Sequence, residues 1–241
     1  MVRTILVTGA NQGLGMHTVH QLGATPDVIV FMGSRKLAAA EDALSKFSAD
    51  IHSSSAVVPI QLDVTDTTSI QAAHAFVVDF LKTKGIQSLD VIINNAAICV
   101  DSFPDSFATN VIGVVSVTDA FRPLLNNSTG GAILNISSAL GSLSLYSQHS
   151  MRLLPAYASS KAALNMLTVQ WAQREREARS GIRVISIYPG FIATNLNNYA
   201  GSTSPADGCK VIVKAALETE GEVGYSFTRT ESSRGSAQIG N

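Results

Sequence analysis

The fold is decided near the start of the chain, by the stretch Thr4-Ile5-Leu6-Val7-Thr8-Gly9-Ala10-Asn11-Gln12-Gly13-Leu14-Gly15. Its first half is a short apolar run, which is typical of a buried strand. Its second half carries three glycines and leads into a helical pattern. Glycine permits positive φ and close approach of the backbone, and a helix N-terminus presents unpaired N–H groups. A strand, a glycine-rich turn and a helix in this order predict the first unit of a doubly wound sheet, whose turn receives a pyrophosphate.

Strand-like and helix-like segments alternate along the rest of the chain, which predicts parallel strands joined by right-handed helical crossovers. We predict one α/β domain over residues 1–241: a Rossmann-like sheet of about seven mostly parallel strands, with helices on both faces and a flexible tail at about 228–241. Strands are predicted at Thr4–Thr8, Val28–Met32, Val57–Leu62, Leu89–Ile93, Ala132–Ile136, Val184–Tyr188 and Val223–Phe227. Helices are predicted at Leu14–Leu22, Leu37–Phe47, Thr67–Leu81, Phe107–Leu125, Ala156–Arg179 and Asp207–Leu217.

Composition narrows the class of protein. Apolar residues make up 46% of the chain, charged residues 15%, and the net charge is −1, which indicates a globular protein without a basic field for nucleic acid or anionic lipid. Two cysteines are too few for a disulfide framework, and His17 and His20 have no third metal ligand beside them. No apolar run approaches the ~20 residues that span a bilayer. We expect a cytoplasmic protein without a metal site and without membrane or nucleic-acid partners.

Tyr157 and Lys161 are the most informative pair of side chains. They stand four residues apart in a predicted helix, so both project from one face. A phenol has a pKa of about 10, and a nearby cation lowers it toward the range useful for acid–base catalysis. An isolated pair at this spacing is most often an ordinary exposed feature, so the other motifs must support a catalytic role.

The end of the second predicted strand indicates which dinucleotide binds. An acidic residue there would bind a ribose 2′-hydroxyl, but the sequence is Met32-Gly33-Ser34-Arg35-Lys36. The planar guanidinium of Arg35 suits a 2′-phosphate, and Ser34 adds a hydroxyl. The alternative is that Arg35 and Lys36 are solvated residues at a helix start, where cations are mildly unfavourable. We therefore predict NADPH/NADP+ as the cofactor.

With these motifs the chain resembles the short-chain dehydrogenase/reductase family over about residues 4–227. A lengthened segment at residues 145–154 makes it most similar to the carbonyl-reductase-like branch of that family. The motifs follow the family's order: TGxxxGxG at Thr8–Gly15, Asp63-Val64, Asn94-Asn95-Ala96-Ala97, Asn110, Asn135-Ile136-Ser137-Ser138, Tyr157-xxx-Lys161 and Pro189-Gly190-xxx-Thr194. The resemblance implies cofactor contacts from Gly9, Asn11, Gln12, Gly13, Leu14, Gly15, Ser34, Arg35, Asp63, Val64, Asn95, Ala96, Ala97, Tyr157, Lys161, Pro189, Gly190, Ile192 and Thr194.

The resemblance also implies the chemistry. Tyr157 would give its proton to a carbonyl oxygen as hydride arrives from the nicotinamide, while Lys161 binds the ribose and lowers the pKa of the phenol. Ser138, favoured over its neighbour Ser137, would donate to the developing oxyanion. Asn110 would kink its helix and hold a water in a proton relay to Lys161. The expected activity is NADPH-dependent reduction of a ketone or aldehyde, or the reverse oxidation of an alcohol.

Several individual roles carry their own alternatives. Asp63 would accept from the adenine amino group or cap the turn that follows it. Asn94 and Asn95 would brace the central strand. Ala97 stands where the family usually has Gly, which is tolerated if its φ is negative. Thr194 would contact the nicotinamide carboxamide or the pyrophosphate, or simply cap a helix.

The main departure from the family is the distance from Ser138 to Tyr157, which is 19 positions where about 13 is usual. The extra residues, at 145–154, are expected beside the substrate mouth, and residues 195–204 are read as either a mobile lid or a solvated loop. An epimerase or dehydratase on the same scaffold, or a non-catalytic NADP(H)-sensing protein, remain alternative functions. The expected partner is a small carbonyl or alcohol substrate, and the chain could be a homodimer, a tetramer or a monomer.

Overall fold

A parallel β-sheet lies at the centre of the computed structural model, which describes residues 2–148, 151–220 and 227–229. When the described strands are numbered in chain order, their order across the sheet is 3-2-1-4-5-6-7. Every described pair of neighbouring strands is parallel. Six strands form the body of the sheet, and the seventh adds three residues beside the sixth. The predicted doubly wound parallel sheet is confirmed. The strands are β1 (Arg3–Val7), β2 (Val28–Ser34), β3 (Ala56–Gln61), β4 (Val91–Asn94), β5 (Ala132–Ile136), β6 (Arg183–Tyr188) and β7 (Phe227–Arg229).

Helices cover both faces of this sheet. The described helices are α1 (Gly13–Gly23), α2 (Leu37–Ser45), α3 (Thr67–Thr83), α4 (Phe103–Phe107), α5 (Gly113–Phe121), α6 (Leu143–Gln148), α7 (Pro155–Glu177), α8 (Pro205–Gly208) and α9 (Lys210–Leu217). Helices α3, α5 and α7 pack on one face, while α1, α2 and α9 pack on the other.

Strand β1 shows why the interior strands are apolar throughout. Leu6 joins the core on the α3 side, whereas Ile5 and Val7 join the core on the α1 side, and all three are fully buried. Successive side chains of a strand point to opposite faces, so a strand covered on both faces needs apolar residues at every position.

The helix predicted over Phe107–Leu125 differs most from the expectation. It is divided into α4, a π-helical turn at Ala108–Ile112, α5 and a 3₁₀ segment at Arg122–Asn127. Pro123 explains the change at the end of α5, because proline has no N–H to continue an α-helix. The helix predicted over Asp207–Leu217 is likewise divided, into α8 and α9, and begins earlier, at Pro205.

Some expectations fall outside the described residues. Of the strand predicted at Val223–Phe227, only Phe227 is described, and the strand observed there is β7. Of the tail predicted at about 228–241, residues 230–241 lie outside the described part of the chain. Within the described ranges, no helix has the length and apolar character required to cross a membrane.

Candidate active site

The direction of chain winding reverses between β1 and β4. From β1 the chain proceeds outward through β2 and β3, and from β4 it proceeds outward the other way through β5 and β6. In open α/β sheets this reversal leaves a crevice at the carboxyl ends of the strands, and ligands bind there. The glycine-rich turn follows β1, and the segments after β4, β5 and β6 leave the sheet at the same edge.

Two glycines of the turn adopt conformations that other residues rarely take. Gly9 has a φ of +61° and Gly13 a φ of +54°. A Cβ atom on Gly9 would also lie 2.8 Å from Ala96 Cα, in the segment after β4. The backbone of the turn can therefore pass directly over the crevice only with glycine at this position.

Hydrogen bonds from Asn95 stabilise the glycine-rich turn, and the helix that follows the turn has no side-chain cap. Asn95 Nδ2 donates to the carbonyl oxygens of Thr8 and Gly9 at 2.9 and 3.0 Å. Any Cβ on Gly15 would lie 2.5 Å from that same amide nitrogen. At the start of α1, the side chain of Gln12 makes no capping hydrogen bond, and the first turn has no acidic residue. These residues fit a pyrophosphate, since the first N–H groups of α1 face the crevice without a side-chain acceptor.

The end of β2 lacks an acidic side chain and carries two exposed cations. Arg35 and Lys36 are both exposed, and within the described chain Arg35 makes no ion pair. The first turn of α2, which follows them, has no acidic residue either. Ser34 is buried, and its Oγ accepts from Lys36 N at 3.3 Å, so it shapes the turn while its hydroxyl proton stays available. This set of groups fits the 2′-phosphate of an NADP-type cofactor.

Asp63 and Val64 follow β3 at the same edge. Asp63 Oδ1 accepts from Thr65 N at 2.9 Å and from Thr65 Oγ1 at 2.7 Å, so one carboxylate oxygen performs the capping role considered from the sequence. Val64 is 6% exposed and packs against Gly113 of α5. The adenine contact predicted for Asp63 stays a prediction.

Residues after β6 approach the glycine turn from the other side. A Cβ on Gly13 would lie 3.4 Å from the side chain of Thr194. Thr194 caps the 3₁₀ turn Asn195–Asn197, with its side chain accepting from Asn197 N and its backbone N–H donating to Asn197 Oδ1, so the capping role is present. Gly190 has a φ of +102°, and Ile192 is 7% exposed. Of the predicted cofactor residues after β6, Thr194 thus borders the glycine-rich turn.

Ala97 keeps a permitted conformation. It is absent from the four non-glycine residues with positive φ in the described chain, which are Asp27, Arg179, Asn198 and Tyr199. The replacement of the family's usual glycine by alanine therefore introduces no backbone strain at this position.

The two neighbouring serines after β5 have different environments. Ser137 is buried and its Oγ donates to Asn165 Oδ1 at 2.7 Å. Ser138 is half-buried, accepts from Leu140 N at 3.2 Å and shares a side-chain hydrogen bond with the phenol of Tyr157. Only Ser138 is therefore placed to act together with Tyr157.

Lys161 lies one turn further along α7, in the interior. It is 3% exposed, and its Nζ donates to Ile136 O at 2.8 Å and lies 5.7 Å from the centre of the Tyr157 ring. Burial lowers the pKa of Lys161 to about 8, and the nearby Cys99 thiol opposes this shift. The lysine charge is thus sensitive to pH near neutrality.

The expectation that Lys161 lowers the pKa of Tyr157 is wrong for this structure. Burial raises the pKa of the phenol well above its ordinary value, and the neighbouring Cys99 and Tyr188 raise it further, while the hydrogen bond with Ser138 opposes them. Removing a phenolate from water costs more than the surrounding groups return. The ammonium of Lys161 is directed to a backbone carbonyl rather than to the phenol oxygen.

Asn110 occupies the middle of the π-helical turn, and its side chain is fully buried. Its Oδ1 accepts from Ile98 N, and its Nδ2 donates to Ile98 O, each at 2.9 Å, and to Ser160 Oγ at 3.0 Å. Ser160 in turn donates to Tyr157 O at 2.7 Å. A π turn widens a helix locally and is frequent at functional sites. The predicted distortion of the helix is observed, whereas the water relay stays a prediction.

Two residues near the site were not singled out from the sequence. Cys99, which follows β4, acts electrostatically on both Tyr157 and Lys161. Asn165 accepts from Ser137 and Ser186 and donates to Gly141 O, so it ties β5, β6 and α7 together. The spacing of Asn165, four residues after Lys161, puts it on the catalytic face of α7 and is the signal that could have found it.

Residues 145–148, the first of the extra residues before Tyr157, belong to a helix. Helix α6 covers Leu143–Gln148, and Tyr146 Oη donates to Arg152 O at 2.9 Å, which closes the segment on itself. Residues 149–150 lie outside the described ranges. The charge of Arg152 acts on the Cys99 thiol, so this segment reaches the neighbourhood of Tyr157.

The family model of short chain dehydrogenases matches residues 3–205. The chain belongs to the short-chain dehydrogenase/reductase family. It is 36% identical to the short-chain dehydrogenase anuI of Penicillium roqueforti, over 89% of this chain and 88% of that one. It is 29% identical to the NADP-dependent 3-hydroxy acid dehydrogenase of Schizosaccharomyces pombe, over 85% of this chain and 78% of that one.

One solved structure of a reductase is also similar to this chain in fold and in sequence. The NADPH-bound carbonyl reductase from chicken fatty liver aligns with a TM-score of 0.76 and 29% identity, covering 94% of this chain and 96% of that one. As a member of this family, the chain is an oxidoreductase. Short-chain dehydrogenases/reductases bind NAD(P)(H) in the crevice between β1 and β4.

Proposed function

We propose that the chain is an NADPH-dependent reductase of a ketone or aldehyde, which also catalyses the reverse oxidation of the alcohol. The observation that carries this proposal is the grouping of three side chains: Tyr157 is buried, Lys161 Nζ lies 5.7 Å from the centre of its ring, and the half-buried Ser138 acts on its phenol. A donor pair of this kind suits a carbonyl oxygen that gains negative charge in the transition state.

A nicotinamide bound in the crevice supplies the hydride. A phenol with a pKa of about 10 is already protonated at neutral pH, and burial raises the pKa of Tyr157 further, so the phenol holds the proton that the carbonyl oxygen receives. Ser138 donates a hydrogen bond to the same oxygen and orients it toward the phenol. Lys161 holds a positive charge beneath the phenol ring and binds ribose hydroxyls, while Asn110 fixes the helix end that carries Ser160 and Tyr157.

Use of NADPH rather than NADH is supported by the end of β2. The exposed guanidinium of Arg35 and the ammonium of Lys36 have no acidic neighbour in the first turn of α2. The names of two relatives point the same way, since the yeast enzyme is NADP-dependent and the chicken structure contains NADPH. The cytoplasmic location and the number of subunits stay predictions.

Replacement of Tyr157 by Phe tests the proposal. The variant should lose reduction of a panel of ketones, aldehydes and quinones, measured as NADPH consumption, because phenylalanine has no proton to give to the carbonyl oxygen. Its affinity for NADPH, measured by fluorescence, should change little. The matched pair Ser138→Ala and Ser137→Ala should differ, with kcat lowered about 100-fold or more only in the first.

Other outcomes would identify other functions. Full activity of Tyr157→Phe would refute the proposed chemistry. Product formation without net consumption of NADPH would favour an epimerase or dehydratase. NADPH binding with no turnover of any carbonyl compound would favour a protein that senses the nucleotide.

A further inference from the structure

Three segments follow the strand ends that carry the site and border its mouth: residues 98–105 after β4, residues 139–148 and 151–154 after β5, and residues 189–204 after β6. They carry an apolar rim of large exposed side chains. Leu143 and Leu153 are 83% and 81% exposed, more than any other large hydrophobic residue in the described chain. The remaining rim residues are Val100, Phe103, Phe191, Leu196 and Tyr199. Apolar side chains concentrated at one site indicate an apolar ligand.

Arg152 interrupts this rim with a charge. It is the only Lys or Arg in the three segments, and it is exposed next to Leu153. Within the described residues its guanidinium makes no ion pair or side-chain hydrogen bond, although Asp101 and Asp105 belong to the segment after β4. The position of its backbone is fixed by the hydrogen bond from Tyr146 Oη at 2.9 Å. The guanidinium is therefore exposed at the mouth and has no acidic partner among the described residues.

The charge of Arg152 lies close to the reacting groups. Arg152 precedes Tyr157 by five residues, across the start of α7 at Pro155. Burial raises the pKa of the Cys99 thiol, and the charges of Arg152 and Lys161 both oppose that shift. The thiol of Cys99 therefore lies within electrostatic range of both cations, and its charge also acts on the phenol of Tyr157. A substrate whose carbonyl oxygen faces the phenol of Tyr157 can extend toward Arg152 at the mouth of the site.

We propose that the substrate is an apolar carbonyl compound with a carboxylate, and that Arg152 binds this carboxylate at the mouth of the site. This inference rests on the proposed function and adds the substrate class. A guanidinium matches a carboxylate with two parallel hydrogen bonds, and the surrounding apolar rim weakens the competition from water. The apolar side chains then contact the hydrocarbon part that joins the carbonyl group to the carboxylate.

The test uses benzoylpropionate and its methyl ester, which share a ketone and an aryl group and differ in the negative charge. In Arg152→Gln, KM for the acid should rise about 10- to 100-fold with little change in kcat. The ester should be unaffected. The control variant Lys46→Gln removes an exposed cation at the C-terminal end of α2, and it should leave KM for both the acid and the ester unchanged. Added salt should raise KM for the acid in the wild type and much less in Arg152→Gln.

Two results would overturn the inference alone. One is an equal change in KM for the acid and the ester in Arg152→Gln, which would indicate a general effect on the mouth. The other is wild-type activity on the ester with none on the acid. If the wild type reduced neither compound and no ketone in the Tyr157 experiment, the proposed function would fail together with this inference.

Discussion

Replacing Gly9 by Ala should destabilise the protein and weaken its grip on the cofactor. Gly9 has a φ of +61°, and holding an alanine in that region costs about 1–2 kcal/mol. The new Cβ would also lie 2.8 Å from Ala96 Cα, a backbone atom that cannot rotate away. Overpacking of this kind costs about 1–3 kcal/mol. The free energy of unfolding should therefore fall by about 2–5 kcal/mol.

Gly85 provides the matched control. Its φ is +67°, nearly the same as that of Gly9, yet no atom lies within 4 Å of the position of its Cβ. Gly85→Ala should therefore cost only the conformational part, about 1–2 kcal/mol. Urea unfolding of both variants measures the difference, and NADPH titration should show weaker binding for Gly9→Ala alone. Equal losses of stability would refute the argument that the turn is pressed against the segment after β4.

Three further predictions concern ionisable groups. The value of kcat/KM for reduction should fall as pH rises through about 8, where the buried Lys161 loses its proton. In the Lys161→Arg variant the fall should move above about pH 10, because a guanidinium keeps its proton there. A fall that stayed near pH 8 in this variant would show that another group causes it. Arg35→Ala should raise KM for NADPH at least about tenfold more than KM for NADH, and equal effects would show that Arg35 does not contact the 2′-phosphate. Arg122→Ala should cost about 3 kcal/mol in urea unfolding, because it removes the guanidinium that contacts both oxygens of the buried Glu175 at 2.9 and 2.6 Å. Burial alone would raise the pKa of Glu175, but Arg122, Ser180 and Arg174 lower it overall, so the contribution is complete above the unfolded pKa of about 4.3. The difference between wild type and variant should shrink as pH falls below that value, and a difference independent of pH would contradict the role of the charge.

The sheet was predictable because its signals are local. The apolar run of β1 and the glycines after it fix the first strand–turn–helix unit, and β5 runs over Ala132–Ile136 as predicted. The interrupted helix around Asn110 was harder, because Asn110 binds both the N–H and the carbonyl of Ile98, which is twelve positions away. A contact of that kind leaves no periodic trace in the sequence.

Spacing also indicated that two residues of the candidate site would lie together, since Tyr157 and Lys161 stand four residues apart and Lys161 Nζ lies 5.7 Å from the centre of the Tyr157 ring. The choice of Ser138 over Ser137 depended on the family resemblance. The structure adds a physical reason for this choice. The hydroxyl of Ser137 donates its hydrogen bond to Asn165 Oδ1, whereas Ser138 interacts with Tyr157. Cys99 could not be identified in advance, because its proximity to Tyr157 arises from the path of the chain after β4.

The protonation states are where reasoning from the sequence failed, and the reason is burial. The spacing of Tyr157 and Lys161 indicates a shared face but does not reveal that both side chains are removed from water. Desolvation disfavours each charged form, so it raises the pKa of the phenol and lowers that of the ammonium to about 8. A protonated phenol is the form that reduction requires, whereas oxidation of an alcohol requires the phenolate. The buried pair therefore favours reduction near neutral pH, and oxidation should gain as pH rises.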